Sequence, residues 1–135
     1  MQKLAAAAVI TAFGLAGCNQ SRPQVSPGAD PSQMTVAFNW CSNASPSFRI
    51  GNIPPATMSL RFKMVDRDVP GWIHGGGEVP IRGPVATVPC GAFAGGYNGP
   101  VPPVGQIHTY EWTVTAYDRS GAVLALGAAS KTFHR

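Results

Sequence analysis

The chain carries little charge and few long apolar runs, and each shortage excludes a class of protein. Only 12% of its residues are charged, the formal net charge is +4, and the basic residues are scattered along the chain. A nucleic-acid-binding protein normally clusters its basic residues on one face, so no nucleic-acid partner is expected. Apart from a short N-terminal stretch, no apolar run approaches the roughly 20 residues of a membrane-spanning helix.

Sequence signatures of catalysis are also missing. The chain has no HExxH spacing, no GxSxG elbow and no pair of acids beside a defined nucleophile. We therefore expect a protein that is not an enzyme and has no catalytic residue, metal or cofactor. A metal-dependent phosphoesterase built from Asp66, Asp68, His74 and His108 is the weaker alternative, since all four side chains are able to bind a metal.

The N-terminus has the layout of a processing signal. Lys3 precedes an apolar stretch, Leu4 to Gly17, which ends directly before Cys18. The sequence Leu-Ala-Gly-Cys resembles a bacterial lipobox, which implies that residues 1–17 are a lipoprotein signal peptide and that Cys18 is acylated. An ordinary secretory signal with a chance cysteine is the alternative. We expect the protein to be anchored by lipid in the cell envelope. If the organism is Gram-negative, the outer membrane facing the periplasm is favoured, because Asn19 is not the aspartate that resembles an inner-membrane retention signal.

The rest of the chain divides into a tether and one domain. Residues 18–33 are polar, rich in proline and without periodicity, which predicts a lipidated N-terminus and a flexible tether. Residues 34–135 are enough for one small domain. After lipidation of Cys18, Cys41 and Cys90 remain in an oxidising compartment, so a disulfide between them is favoured over two buried free thiols.

Strand patterns dominate the domain, and helical periodicity is absent. Apolar residues alternate with polar ones in 34–40, 59–66 and 108–118, and shorter candidates occupy 85–90, 122–126 and 130–135. Loops rich in proline and glycine separate these segments, and no internal repeat is visible. The pattern predicts an all-β fold, an antiparallel β-sandwich or barrel.

Strand parity places ionisable groups on the core side. Asp66 continues the apolar face of Leu60, Phe62 and Met64, and His108 precedes the apolar face that begins at Tyr110. Antiparallel neighbours would bring both side chains to one rim, because one ends a strand and the other begins one. Asp68 and His74 are close enough in sequence to join them, and Pro70 forces a turn. Each residue alone is more often structural than functional, but the set favours a site.

Several motifs occur in an order that resembles the phosphatidylethanolamine-binding protein family, which includes the Raf kinase inhibitor proteins. They are SPSF (45–48), PPATMSL (54–60), VDRDVP (65–70), the isolated His74, YNGPVPPVGQIHTY (97–110) and AYD (116–118). The resemblance implies a β-sandwich with a small pocket for phosphate, phosphorylated headgroups or carboxylates. It assigns ligand-binding roles to Asp66, Asp68, Pro70, His74, Gly99, Pro100, His108 and Tyr110.

Two features depart from the family pattern. Gly75, Gly76 and Gly77 follow His74 in place of an aromatic residue and valines, which leads us to expect a wider or more mobile pocket wall. The C-terminal helical region of the family is expected to be reduced or absent.

The expected function is a membrane-anchored, non-catalytic binding protein for a small anionic ligand or phospholipid headgroup. Two histidines that titrate near neutrality should make anion binding tighter as the pH falls from about 8 to 6. The rival interpretation is an envelope protein-interaction module, such as an inhibitor of a protease or other enzyme, with a protein target that the sequence does not identify.

Overall fold

Seven β-strands form the described part of the chain in a computed structural model that covers residues 33–93 and 95–135. The signal peptide predicted for residues 1–17 and, except for Gln33, the lipidated N-terminus and tether predicted for residues 18–33 lie outside the described residues. None of the described residues forms a helix, so none offers a helix that could cross a membrane. The strands are β1 (Thr35–Cys41), β2 (Ala44–Gly51), β3 (Ser59–Asp66), β4 (Gly76–Pro80), β5 (Ala86–Val88), β6 (Ile107–Tyr117) and β7 (Val123–His134).

The strands make two antiparallel sheets that pack face to face. One sheet has the order β1-β2-β5 and the other has the order β4-β3-β6-β7. Phe48 of the first sheet packs against Phe62 and Trp112 of the second, with ring centroids 4.8 and 5.0 Å apart. Buried aromatic contacts of this kind contribute about 0.5–1.5 kcal/mol each beyond the area they bury. The prediction of an all-β fold made of antiparallel sheets is confirmed.

The alternation read from the sequence is present in the two central strands. Every second residue of β3, from Leu60 to Asp66, is buried, as is every second residue of β6, from His108 to Ala116. β3 and β6 are antiparallel neighbours whose register places Asp66 opposite Tyr110. The end of β3 and the beginning of β6 therefore meet at one end of the sandwich.

The sequence analysis missed two strands, β2 and β4, and predicted β7 as two separate segments. β2 contains Pro46, which is normally excluded from central strands, but the β1–β2 pairing is interrupted between Asn39 and Cys41, so Pro46 leaves no ladder bond unmade. β4 begins in the glycine run and ends at Pro80. The segments predicted at 122–126 and 130–135 form one continuous strand, β7, and the segment predicted at 85–90 shortens to β5.

The structure has the disulfide that the cysteine count favours. Cys41 ends β1 and Cys90 follows β5, and their Cα atoms are 6.0 Å apart. β1 and β5 flank β2 on opposite sides, so the bridge ties both edges of the smaller sheet together.

The described chain enters the sandwich at the end far from Asp66 and His108. The Met34 N–H donates to the Leu126 carbonyl, and Leu126 pairs with Thr115 of β6. Thr115 lies seven residues beyond His108, or about 23 Å at the usual rise of a strand. The N-terminal entry and the strand ends that carry Asp66 and His108 are therefore at opposite ends of the domain.

Candidate functional site

Asp66 and His108 form a buried hydrogen-bonded pair where β3 ends and β6 begins. His108 Nδ1 lies 2.7 Å from Asp66 Oδ2, and the two side chains are 7% and 5% exposed. Both residues occupy core-facing positions of their strands, as strand parity predicts. The pairing meets the requirement that a buried ionisable group have a partner.

The second oxygen of Asp66 holds the loop that follows β3. Asp66 Oδ1 accepts the backbone N–H groups of Asp68 and Val69 at 2.9 and 3.1 Å. Burial raises the pKa of the Asp66 carboxyl, but the hydrogen bonds from His108, Asp68 and Val69 outweigh burial and bring the pKa below its usual value. Asp66 is therefore a carboxylate whose charge is balanced by three donors.

The far nitrogen of His108 also has a partner. His108 Nε2 lies 3.1 Å from Gln106 Oε1, so both ring nitrogens face oxygen atoms. An imidazolium ring donates to both oxygens, and a neutral ring is satisfied once the Gln106 amide turns to present its NH₂ group. Gln106 can thus follow a change in the protonation of His108 by rotating its amide.

His74 is fixed by a neighbouring segment, but one of its nitrogens is free. Its Nδ1 lies 3.0 Å from the Asn98 carbonyl oxygen, and the Asn98 N–H donates to the His74 carbonyl at 2.8 Å. The residue is only 2% exposed, and its Nε2 is buried without a hydrogen-bond partner. Because Nδ1 must donate to a carbonyl, Nε2 bears a lone pair in the neutral ring and a hydrogen in the imidazolium.

The glycines after His74 allow two backbone segments to approach closely. Gly75 has φ +70° and pairs with Tyr97, and the Gly76 N–H donates to the Gly96 carbonyl at 2.8 Å. A Cβ on Gly75 would overlap the carbonyl oxygen of Gly96. The wall behind His74 is therefore closely packed, in contrast to the wider wall that the sequence led us to expect.

Tyr110 separates the two histidines. Its ring lies 5.3 Å from that of His74 and 6.3 Å from that of His108, measured between centroids. Its hydroxyl is buried beside the Asp66 carboxylate. Burial and then the nearby Asp66 carboxylate raise the pKa of this hydroxyl, so it is a neutral potential donor.

These groups belong to a cavity of about 600 Å³ at this end of the sandwich. Buried Asp66, His74 and His108 lie at its base, and exposed residues of two loops surround its mouth. No lysine or arginine is among the described residues that line it. The lining residues are Asp66, Asp68, Val69, Trp72, His74, Val101, Pro103, Gln106, Ile107 and His108.

Some residues assigned from the resemblance lie elsewhere. Gly99 and Pro100 line a neighbouring cavity with Trp40, Tyr97 and Phe133, and Val101 and Pro103 occupy the rim position expected for them. Pro70 lines an outer groove beside the cavity. Tyr110 packs against both histidines without lining the cavity itself.

Sequence reasoning missed Gln106 as a member of the site. Gln106 lies two residues before His108, so the parity that identified His108 would have placed Gln106 on the same side. The apolar lining residues Val69, Trp72 and Ile107 gave no comparable signal, because single exposed apolar residues are common.

Asp66, Asp68 and His108 could also hold a metal ion. One potential ligand atom from each lies within 4.8 Å of the others. The carboxylates are already engaged, because Asp66 accepts three hydrogen bonds and Asp68 Oδ2 accepts the Thr109 N–H at 2.7 Å. Metal binding would have to compete with these bonds, so the arrangement fits a hydrogen-bonded network better than a metal centre.

Comparison with known proteins adds no relative to this description. Neither the models of known protein families nor the curated proteins include a match to the chain.

Proposed function

We propose that the protein is a membrane-anchored, non-catalytic binding protein whose cavity takes a small anion: phosphate, a phospholipid headgroup or a carboxylate. The unpartnered Nε2 of His74, a residue that lines the cavity, carries the proposal. A buried polar atom without a partner costs about 1–3 kcal/mol, and a ligand that accepts a hydrogen bond from it removes that cost. The proposed anchor is a lipid on Cys18.

The Asp66 carboxylate already has its own hydrogen-bond donors, so an anion must take its hydrogen bonds from other groups of the cavity. The carboxylate accepts hydrogen bonds from His108 and from two backbone N–H groups. The remaining donors for a ligand are His74 Nε2 when the ring is protonated, His108 Nε2 when Gln106 turns away, and the Tyr110 hydroxyl after a small rearrangement. Each can form a charge-assisted hydrogen bond to an anion.

The geometry of His74 makes anion binding depend on pH. Because Nδ1 donates to Asn98, Nε2 offers only a lone pair to the ligand in the neutral ring, which repels an anion. Protonation converts Nε2 into a donor, so the protonated ring should bind an anion more tightly than the neutral ring; the affinities are compared between pH 8 and pH 6.

Calorimetric titration with inorganic phosphate and with phosphoethanolamine between those pH values tests the proposal. His74→Gln keeps a neutral side-chain donor, so it should retain binding at pH 8 with a weaker pH dependence. The double variant His74→Gln/His108→Gln should keep only the pH dependence that comes from ionisation of the phosphate group itself. His134→Gln is the matched control, because this exposed histidine does not line the cavity. Phosphate affinity that is unaffected by either cavity histidine would refute the proposal.

The same titration with Zn²⁺ and Mn²⁺ addresses the metal alternative. Tight metal binding that Asp66→Asn abolishes, together with no phosphate binding to the metal-free protein, would favour a metal-dependent phosphoesterase over the anion-binding protein.

A further inference from the structure

Exposed apolar side chains concentrate around the mouth of the cavity. Six of the ten large hydrophobic residues that are exposed in the described chain lie in residues 69–73 and 101–107, the two loops that flank the mouth. Four of the six, Val69, Trp72, Val101 and Ile107, line the cavity, and the other two lie in the same loops. Scattered exposed apolar residues need no explanation, whereas a group beside a cavity indicates a contact surface. We call this group the apolar rim: Val69, Trp72, Ile73, Val101, Val104 and Ile107.

Tight turns hold the apolar rim in place. In the first loop, the Trp72 N–H donates to the Val69 carbonyl at 3.1 Å across a turn that contains Pro70. In the second loop, the Gln106 N–H donates to the Pro103 carbonyl at 2.9 Å, and Gly105 has the positive φ, +82°, of the third residue of a type II turn. Val104 is 84% exposed at the tip of that turn. The rim side chains are thus displayed on rigid backbone, which reduces the entropy lost when a partner binds.

The cavity and the rim together match a ligand with an anionic end and an apolar body. The base offers hydrogen-bonding groups of Asp66, His74 and His108, and the exposed surface around it is apolar. We propose that the cavity and the apolar rim bind the carboxyl-terminal end of a protein or peptide whose last residues are apolar. The terminal carboxylate takes the anion position at the base, and the last side chains pack on the rim. This inference rests on the proposed anion-binding function.

The charge around the mouth of the cavity favours a peptide over a lipid bilayer as occupant. Surfaces that dock on anionic bilayers carry free lysine or arginine, whereas Asp68 is exposed at this mouth and Arg67 is paired with Glu111 at 3.3 Å. Exposed tryptophan in a rigid apolar patch is typical of protein interfaces.

The test uses an N-acetylated tetrapeptide with the sequence Gly-Ala-Val-Leu and a free carboxyl terminus, titrated by calorimetry at pH 6. The same peptide with a C-terminal amide, the acid Gly-Ala-Gly-Ser, sodium acetate and inorganic phosphate are the comparison ligands. We expect the Val-Leu acid to bind at least tenfold more tightly than the amide, the Gly-Ser acid and acetate.

Variants of the apolar rim distinguish the contribution of the rim to binding from the contribution of the cavity base. Because Trp72 and Ile107 also line the cavity, the test compares two losses in the same variants: Trp72→Ala and Ile107→Ala should each weaken binding of the Val-Leu acid about tenfold and weaken phosphate binding much less. Val85→Ala and Val123→Ala, at residues that are 53% and 56% exposed and lie outside the rim, should change neither affinity. Far-ultraviolet circular dichroism and thermal unfolding verify that each variant folds.

The outcomes distinguish this inference from the function on which it rests. If phosphate binds but the Val-Leu acid binds no more tightly than acetate, the peptide inference is overturned and anion binding stands. If no anion binds at all, both proposals are overturned. Binding to vesicles of anionic phospholipid that depends on Trp72, with no preference for the peptide acid, would identify a bilayer as the occupant and overturn the peptide.

Discussion

Replacing Asp66 tests how much the network at the base of the cavity stabilises the domain. Asp66→Ala removes the acceptor for His108 Nδ1 and for the backbone N–H groups of Asp68 and Val69. Removing one partner of a buried charged pair costs about 3–5 kcal/mol, and water in the open cavity should keep the loss near the lower value, about 3 kcal/mol.

Asp66→Asn should cost much less, because the amide keeps the geometry. Its oxygen still accepts the two backbone N–H groups, and its NH₂ donates to His108 Nδ1 once the ring takes the other neutral tautomer. His108 Nε2 then donates to Gln106 Oε1. Only the charge assistance is lost, so we expect a decrease of about 1 kcal/mol in the free energy of unfolding.

The pH dependence of that difference follows from the lowered pKa of Asp66. A carboxyl with a lower pKa in the folded state contributes stability above its unfolded pKa and loses that stability as the pH falls through the folded value. The gap between Asp66→Asn and the unaltered protein should therefore be complete near neutral pH and close below about pH 4.

Urea unfolding followed by tryptophan fluorescence at pH 7, 5 and 3 measures both effects. Asp118→Asn is the matched control, since Asp118 also accepts backbone N–H groups, at the β6–β7 turn, but is more exposed than Asp66; its loss should be smaller. A gap for Asp66→Asn that stays constant from pH 7 to 3, or a loss below about 1 kcal/mol for Asp66→Ala, would refute this account.

Two further predictions concern the scaffold. The disulfide between Cys41 and Cys90 closes a loop of 49 residues, so its reduction should lower the free energy of unfolding by about 4 kcal/mol. Urea unfolding with and without dithiothreitol measures this change. An unchanged free energy of unfolding would mean that the disulfide does not stabilise the domain. Gly75→Ala should lower the free energy of unfolding by at least about 2 kcal/mol, because residue 75 has a left-handed conformation and the new Cβ overlaps Gly96. Gly71→Ala, with open space around it, should be neutral. Equal thermal midpoints for the two variants would contradict the steric explanation.

The sequence contained enough information for the central strands but not for every element. β3 and β6 are buried on one face, so strict alternation identifies them and places Asp66 and His108 correctly. The sequence analysis missed β2 and β4 because these segments form strands only through their pairing with neighbouring strands. Pro46 is tolerated only at an interruption of the β1–β2 ladder, and Gly76 and Gly77 form a strand because β3 supplies the pairing.

The site was predictable in its polar part and not in its apolar part. An inward-facing acid and an inward-facing histidine are costly enough to be noticed in a sequence, and both were found. Trp72 and Val104 carry no such cost as single exposed residues; their meaning depends on turns that bring two loops to one mouth. The position of Gly99 and Pro100 in a second cavity depends in turn on how the chain passes Tyr97 and Phe133, which no local pattern specifies.

The free-energy cost of burying an unpaired polar atom beside the cavity supports a binding role for the cavity. His74 Nε2 is buried without a partner, which costs about 1–3 kcal/mol relative to a satisfied group. A purely structural core would remove that cost by placing an apolar residue at this position. Backbone contacts of Gly75 and Gly76 with residues 96 and 97 instead hold His74 in place beside the cavity. A rigid scaffold that keeps a buried polar atom unpaired beside a cavity is preorganised for a ligand that pairs with that atom.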